Sequence, residues 1–226
     1  MTIDAIFFDM DGLLVDSENL AVDVFIEIMA RHNFSFSRLD IERYIFGRML
    51  SESFEEVIVE HDLPFTSNVL LYEHRVVYNS RLQNVDALPY AYETIKLVKA
   101  RYSKIALVSG STQEQIDIVL DKLKLSDDFN IIINNEDVDS GKPSPKSYLV
   151  AAQTLNVDIT KCVVLEDAAV GIEAANAAGA YSIGVKIGSK GTQDLTKAKY
   201  VVEFLNDIDW EYVEEYMKDR MASCKV

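Results

Sequence analysis

After Pro89 the chain alternates. Short apolar runs at Ile105 to Val108, Ile131 to Ile133, Val163 to Leu165 and Ser182 to Val185 are separated by segments with helical spacing. Apolar runs without polar alternation fit strands covered on both faces. Strands that alternate with helices of about ten residues build a parallel sheet through right-handed crossovers. The intervening helices are predicted at about 89–102, 113–123, 145–155 and 172–178. One further run, Ile3 to Phe8, opens the chain as a buried strand, and the stretch that follows it contains only helical patterning. Leu20, Val24, Phe25, Ile28 and Met29 recur at helical spacing from Ser17 to about His32, with Asp16 or Ser17 available as the N-cap. Helical pieces follow over Leu39 to Ile45, Ser51 to His61 and Val69 to Leu82, broken by Gly47 and Pro64. The expected fold is therefore α/β, a doubly wound parallel sheet interrupted after its first strand by a small α-helical insert. Residues 16–82 form the insert, and residues 1–15 with 83–226 form the core. A last helix, Asp209 to about Met221, packs on that core.

Composition bounds the function. Of 226 residues, 49% are hydrophobic and 26% charged, the balance of an ordinary globular protein. Lys and Arg number 22 against 37 Asp and Glu, a net charge of -15, which repels nucleic acid and anionic membrane. A phosphorylated small molecule stays possible, because a cation and a few donors reverse the field inside one crevice. Cys162 and Cys224 lie far apart, with no disulfide framework and no paired-thiol zinc spacing. Cys162 opens a buried strand and reads as an inert core residue. No apolar run approaches the roughly 18 residues of a membrane span, and Met1-Thr2-Ile3-Asp4 does not begin a leader. The expectation is a soluble, cytoplasmic protein.

The chemistry gathers at strand ends. Asp9 and Asp11 follow the first strand two residues apart, so an extended chain sends both carboxylates to one side. Ser109-Gly110-Ser111 follows the second strand, Gly141-Lys142-Pro143 lies in the loop after the third, and Glu166-Asp167 follows the fourth. Open α/β sheets bind ligands beyond the carboxyl ends of their strands, which brings these residues into one pocket. Each carboxylate pair about 5 Å apart costs on the order of 3 kcal/mol at an effective dielectric of 20. Lys142 alone cannot neutralise four acids. An all-oxygen set without His or Cys selects a hard divalent cation, Mg2+, with Asp9, Asp11, Glu166 and Asp167 as candidate ligands. Mg2+ takes part of its shell from phosphate, so the expected substrate is a small phosphorylated metabolite. Ser109, the backbone N–H groups of Gly110 and Ser111, and the following helix N-terminus would receive phosphoryl oxygens, and Lys142 would add positive charge. Asp9 is placed to attack phosphorus and form an aspartyl-phosphate. Asp11, favoured in its protonated form by neighbouring carboxylates, would act as general acid and then base.

DMDGLLVDSE at 9–18, VSGS at 108–111, GKPSP at 141–145 and EDAAVGIEAANAAG at 166–179 resemble the four ordered signatures of haloacid dehalogenase-like hydrolases. The helical insert between the first two signatures is similar to the cap of the subgroup with β-phosphoglucomutase and many sugar-phosphate phosphatases. The resemblance implies a Rossmann-like core, Mg2+ and the roles given above. It also implies metal binding by Asp9, the backbone carbonyl of Asp11 and Asp167, with Glu166 either a direct ligand or behind the ligands. Mutases of this subgroup carry a cap histidine and an arginine where this chain has Ala21 and Leu50, which argues for hydrolysis over phosphotransfer. Dehalogenases usually lack the acid that matches Asp11.

In the insert, Arg48 and Ser51 near Gly47 are candidate substrate contacts, with a solvated charge and a helix cap as the bland alternatives. His32, His61 and His74 have no metal spacing and are read as helix-end or surface residues. Competing functions are a β-phosphoglucomutase-like phosphotransferase, a phospho-receiver module and a regulatory protein that has lost activity. Receiver modules are about half this length and carry the acid pair rather than the acceptor on their first strand.

Overall fold

The computed structural model describes residues 3–45, 50–189 and 193–223. Its strands are β1 (Ala5–Phe8), β2 (Ile105–Val108), β3 (Ile131–Ile133), β4 (Cys162–Glu166), β5 (Tyr181–Val185) and β6 (Tyr200–Val202). They form one six-stranded sheet in the order β3-β2-β1-β4-β5-β6, parallel throughout. Ile6 of β1 lies between Ile105 of β2 and Val163 of β4. The strand order reverses between β1 and β4, and a ligand crevice in such sheets opens at that reversal. The first strand is two residues shorter at its start than the apolar run suggests. β6 adds an edge strand beside β5 that the apolar runs did not show.

The helices are α1 (Ser17–Arg31), α2 (Arg38–Ile45), α3 (Leu50–Glu60), α4 (Ser67–Leu82), α5 (Ala91–Arg101), α6 (Gln113–Leu123), α7 (Lys146–Leu155), α8 (Ala169–Ala178), the single turn α9 (Lys186–Ser189) and α10 (Trp210–Ser223). Alternate residues of β1 serve opposite faces. Ile6 and Phe8 join an apolar cluster with α5, α6, α10 and the α1–α4 insert, whereas Ala5 and Phe7 pack with Tyr148, Ala151 and Ala175 of α7 and α8. Both faces are covered, as an all-parallel sheet requires. Among the described residues no helix is long and apolar enough to cross a membrane. Cys162 is buried, which pushes its thiol up to about 12.

The same apolar cluster runs on into the α1–α4 insert, with a centre where Phe25 of α1 stacks on Phe54 of α3 with ring centroids 4.3 Å apart. His74 joins that centre, contrary to the surface position expected from the sequence. It is 2% exposed, its ring meets Phe54 edge-on and Tyr78 face-on, and its Nε2 lies 3.2 Å from the carbonyl of Ala21. The reason is visible in α4, whose buried residues Leu70, His74, Tyr78 and Leu82 recur every fourth position, the stripe that faces a helix's neighbours. His32 and His61 do follow the ends of α1 and α3.

Candidate active site

Asp9 follows β1 and is 6% exposed, and Glu166 and Asp167, at the end of β4, are each 1% exposed. These three carboxylates offer oxygens within 4.8 Å of one another. Among the described residues, Lys142 is the cation that meets them. Its ammonium donates to Asp9 Oδ1 at 2.5 Å, to Glu166 Oε1 at 2.6 Å and to the carbonyl of Val108 at 3.1 Å. Tyr148, one turn into α7, donates its hydroxyl to the same Glu166 oxygen at 2.5 Å.

Burial dominates the electrostatics. It pushes the Asp9 carboxyl well above its ordinary range, with Lys142 opposing and Glu166 and Asp11 adding to the rise. Asp167 is pushed the same way by burial and then by the charges of Glu18, Asp9 and Glu166. Burial alone would lower the Lys142 ammonium, but Asp9 and Glu166 outweigh it and hold it well above the usual lysine value. One ammonium faces three acids, and both oxygens of Asp167 are buried without a hydrogen-bond partner. Such groups are rare in folded proteins and mark a missing partner. The donor set is all oxygen, so a hard divalent cation fits it.

Two glycines hold this geometry. Gly12 has φ +79°, and a Cβ there would lie 2.1 Å from Asp167 Oδ2. At Gly171, in the first turn of α8, a Cβ would lie 2.0 Å from the Glu166 carboxyl carbon. Gly110, by contrast, faces open space, so its loop is unobstructed rather than constrained.

Asp11 behaves differently from the expectation. Its side chain is half-buried and accepts from three hydroxyls: Ser17 at 2.6 Å, Ser109 at 3.1 Å and Ser111 at 2.7 Å. Its carboxylate is not in the metal-capable trio. Its charge adds to the rise at Asp9, and its oxygens are engaged by the three serines. Ser17 spends its hydroxyl here and not on capping α1, whose N-cap Asp16 makes no side-chain cap bond. Ser109 Oγ also accepts from the N–H of Ser111. The next residue, Thr112, caps α6 in a reciprocal pair with Gln115. Gln115 Oε1 takes the Thr112 N–H, and its Nε2 donates to Asn79 of α4 at 3.1 Å. Asn79 in turn donates to Glu114 at 3.0 Å, so the insert is tied to the first turn of α6.

Of the remaining candidates, Ser51 is half-buried in the first turn of α3, and Arg48 lies outside the described residues. Sequence reasoning missed Ser17, Tyr78 and Tyr148. Tyr78 of α4 is buried, and burial holds its hydroxyl protonated well above the usual tyrosine value. The signal for Tyr148 was its place three residues beyond the GKPSP segment on the buried face of α7.

The model of the haloacid dehalogenase-like hydrolase family matches residues 6–185. The chain belongs to this family. Among relatives of this haloacid dehalogenase-like hydrolase, the phosphorylated carbohydrates phosphatase of Thermotoga maritima is 29% identical over 181 residues, 78% of this chain and 82% of that protein. The bifunctional riboflavin kinase/FMN phosphatase of Arabidopsis thaliana is 26% identical over 207 residues, 91% of this chain, and the chain spans only 54% of that longer protein. In structure the hydrolase is similar to β-phosphoglucomutase from Clostridium difficile, with a TM-score of 0.81, 26% identity, and coverage of 97% of this chain and 99% of the other.

Proposed function

We propose that this chain is a Mg2+-dependent phosphatase that hydrolyses a small, sugar-phosphate-like metabolite through an aspartyl-phosphate on Asp9. The observation that carries this reading is the buried trio of Asp9, Glu166 and Asp167 around Lys142, with both Asp167 oxygens lacking a partner. Asp9 and Asp167 would hold the cation with the backbone carbonyl of Asp11, and Glu166, already engaged by Lys142 and Tyr148, would stand beside them. When bound, the cation supplies positive charge against the phosphoryl oxygens.

The chain's own residues then divide the work. The Asp9 carboxylate attacks phosphorus, and the bond from phosphorus to the leaving oxygen breaks as Asp11 gives that oxygen a proton. Asp11 next takes a proton from water as the water attacks phosphorus, which releases phosphate and restores Asp9. Lys142 fixes Asp9 and offsets the charge of the transferring group. Ser109 and Ser111 have rotatable hydroxyls, so they can turn from Asp11 to phosphoryl oxygens beside the N–H groups of Gly110 and Ser111. Arg48 and Ser51 are proposed to reach the rest of the substrate.

The insert, residues 16–82, is proposed as a cap over a core of residues 1–15 and 83–226, and the bonds of Asn79 to α6 support that reading. A closed cap excludes water from the reaction. The name of the Thermotoga relative supports the sugar-phosphate class. Hydrolysis is favoured over phosphotransfer by Ala21 and Leu50, whose side chains pack against the apolar cluster where the mutases carry polar groups. The test is p-nitrophenyl phosphate turnover with Mg2+ and with EDTA, followed by phosphorylated sugars, sugar acids and nucleotides, with Asp9→Asn as the blank. Turnover that survives EDTA, or equals that of the blank, contradicts the proposal.

A further inference from the structure

The Lys142 ammonium has three N–H donors, and Asp9, Val108 and Glu166 take all three. Its position is therefore set by where those acceptors stand. The sheet fixes the Val108 carbonyl, and Asp9 follows directly from β1. Glu166 is the acceptor on a longer side chain, and its Oε2 has only a long contact, 3.4 Å from the N–H of Ala168. Its Oε1 carries a second donor, the Tyr148 hydroxyl. The Tyr148 side chain is fully buried, its ring is parallel to Phe7 with centroids 6.4 Å apart, and the ammonium lies 5.2 Å from its centroid. A phenylalanine would keep both ring contacts. What the hydroxyl adds is the bond to Glu166.

We propose that Tyr148 is a positioning residue: by donating to Glu166 Oε1 it shares that oxygen between phenol and ammonium, and so keeps Lys142 on Asp9 instead of wholly on Glu166. The inference rests on the roles of Asp9 and Lys142 in the phosphatase reaction. It distinguishes the hydroxyl from the ring, because packing alone would leave Tyr148→Phe unchanged.

Two readouts of one double-mutant cycle test it. In turnover of p-nitrophenyl phosphate, Tyr148→Phe lowers kcat at least tenfold with KM within twofold, and on a Glu166→Leu background, which offers the phenol no acceptor, it changes kcat by less than twofold. A wild-type kcat in Tyr148→Phe, or the same fold loss in both backgrounds, overturns the proposal. In urea unfolding of the metal-free proteins, Tyr148→Phe lowers the midpoint, and this effect vanishes on Glu166→Leu; a lowering of full size on that background overturns it. Where Glu166→Leu does not fold, Glu166→Asp replaces it, since a carboxylate withdrawn by one methylene loses the phenol. A wild-type chain without phosphatase activity overturns the catalytic reading, while the unfolding series still decides whether the Tyr148 hydroxyl acts through Glu166.

Discussion

His74 makes the insert sensitive to acid. Its imidazole is surrounded by Phe54, Tyr78 and the carbonyl of Ala21, and burial lowers its pKa from 6.5 to about 4. The unfolded chain takes up a proton on this residue near pH 6.5, whereas the folded chain does so only near pH 4. Above pH 6.5 the group is neutral in both states and contributes no slope. As pH falls from 6.5 toward 4 the unfolded state gains a proton that the folded state refuses, and stability drops by about 3 kcal/mol in all. Between pH 7.5 and 5.0 the same two values give a loss of about 2 kcal/mol. His74→Gln keeps a side-chain N–H for the Ala21 carbonyl and does not titrate. Urea unfolding of both proteins at the two pH values isolates the effect, because other groups cancel in the double difference. Wild type should lose about 2 kcal/mol more than the variant over this interval. A double difference near zero would refute the buried, neutral imidazole.

Asp9→Asn and Asp11→Asn should each reduce kcat/KM more than a hundredfold, about 3 kcal/mol of transition-state stabilisation, in steady-state assays with Mg2+. Asp167→Asn should abolish Mg2+-stimulated turnover yet raise the urea midpoint of the metal-free protein, because it removes a carboxyl whose ionisation burial opposes in the folded state; an unchanged or lowered midpoint would count against the metal-site reading. Gly171→Ala places a Cβ about where the Glu166 carboxyl now sits. It should cost about 1–3 kcal/mol of stability by overpacking and reduce turnover at least tenfold, measured by thermal melts and initial rates.

The sheet was legible because its buried strands carry unbroken apolar runs: β2 and β3 begin and end where Ile105 to Val108 and Ile131 to Ile133 do. β6 was not: β3 is equally short and lies at the other edge, but it is three isoleucines, whereas Tyr200, Val201 and Val202 open on an aromatic and stand between Lys199 and Glu203. The placement of Asp9, Lys142, Glu166 and Asp167 together followed from the strand-end rule, which needs only topology. The environment of Asp11 did not follow. It depends on which rotamers Ser17, Ser109 and Ser111 adopt once the insert folds back, and spacing along the chain does not encode that. His74 shows the same limit in reverse, because a polar residue at every fourth place in α4 was read by its chemistry and not by its stripe.

Gln115 serves two neighbours with a single carboxamide. Its oxygen braces the start of α6, just past Ser109 and Ser111, and its nitrogen holds Asn79 of the insert. Moving α4 aside therefore unties one end of the brace at the start of α6. On the proposed function, access past α4 and the setting of the Ser109–Ser111 turn are coupled through this one amide.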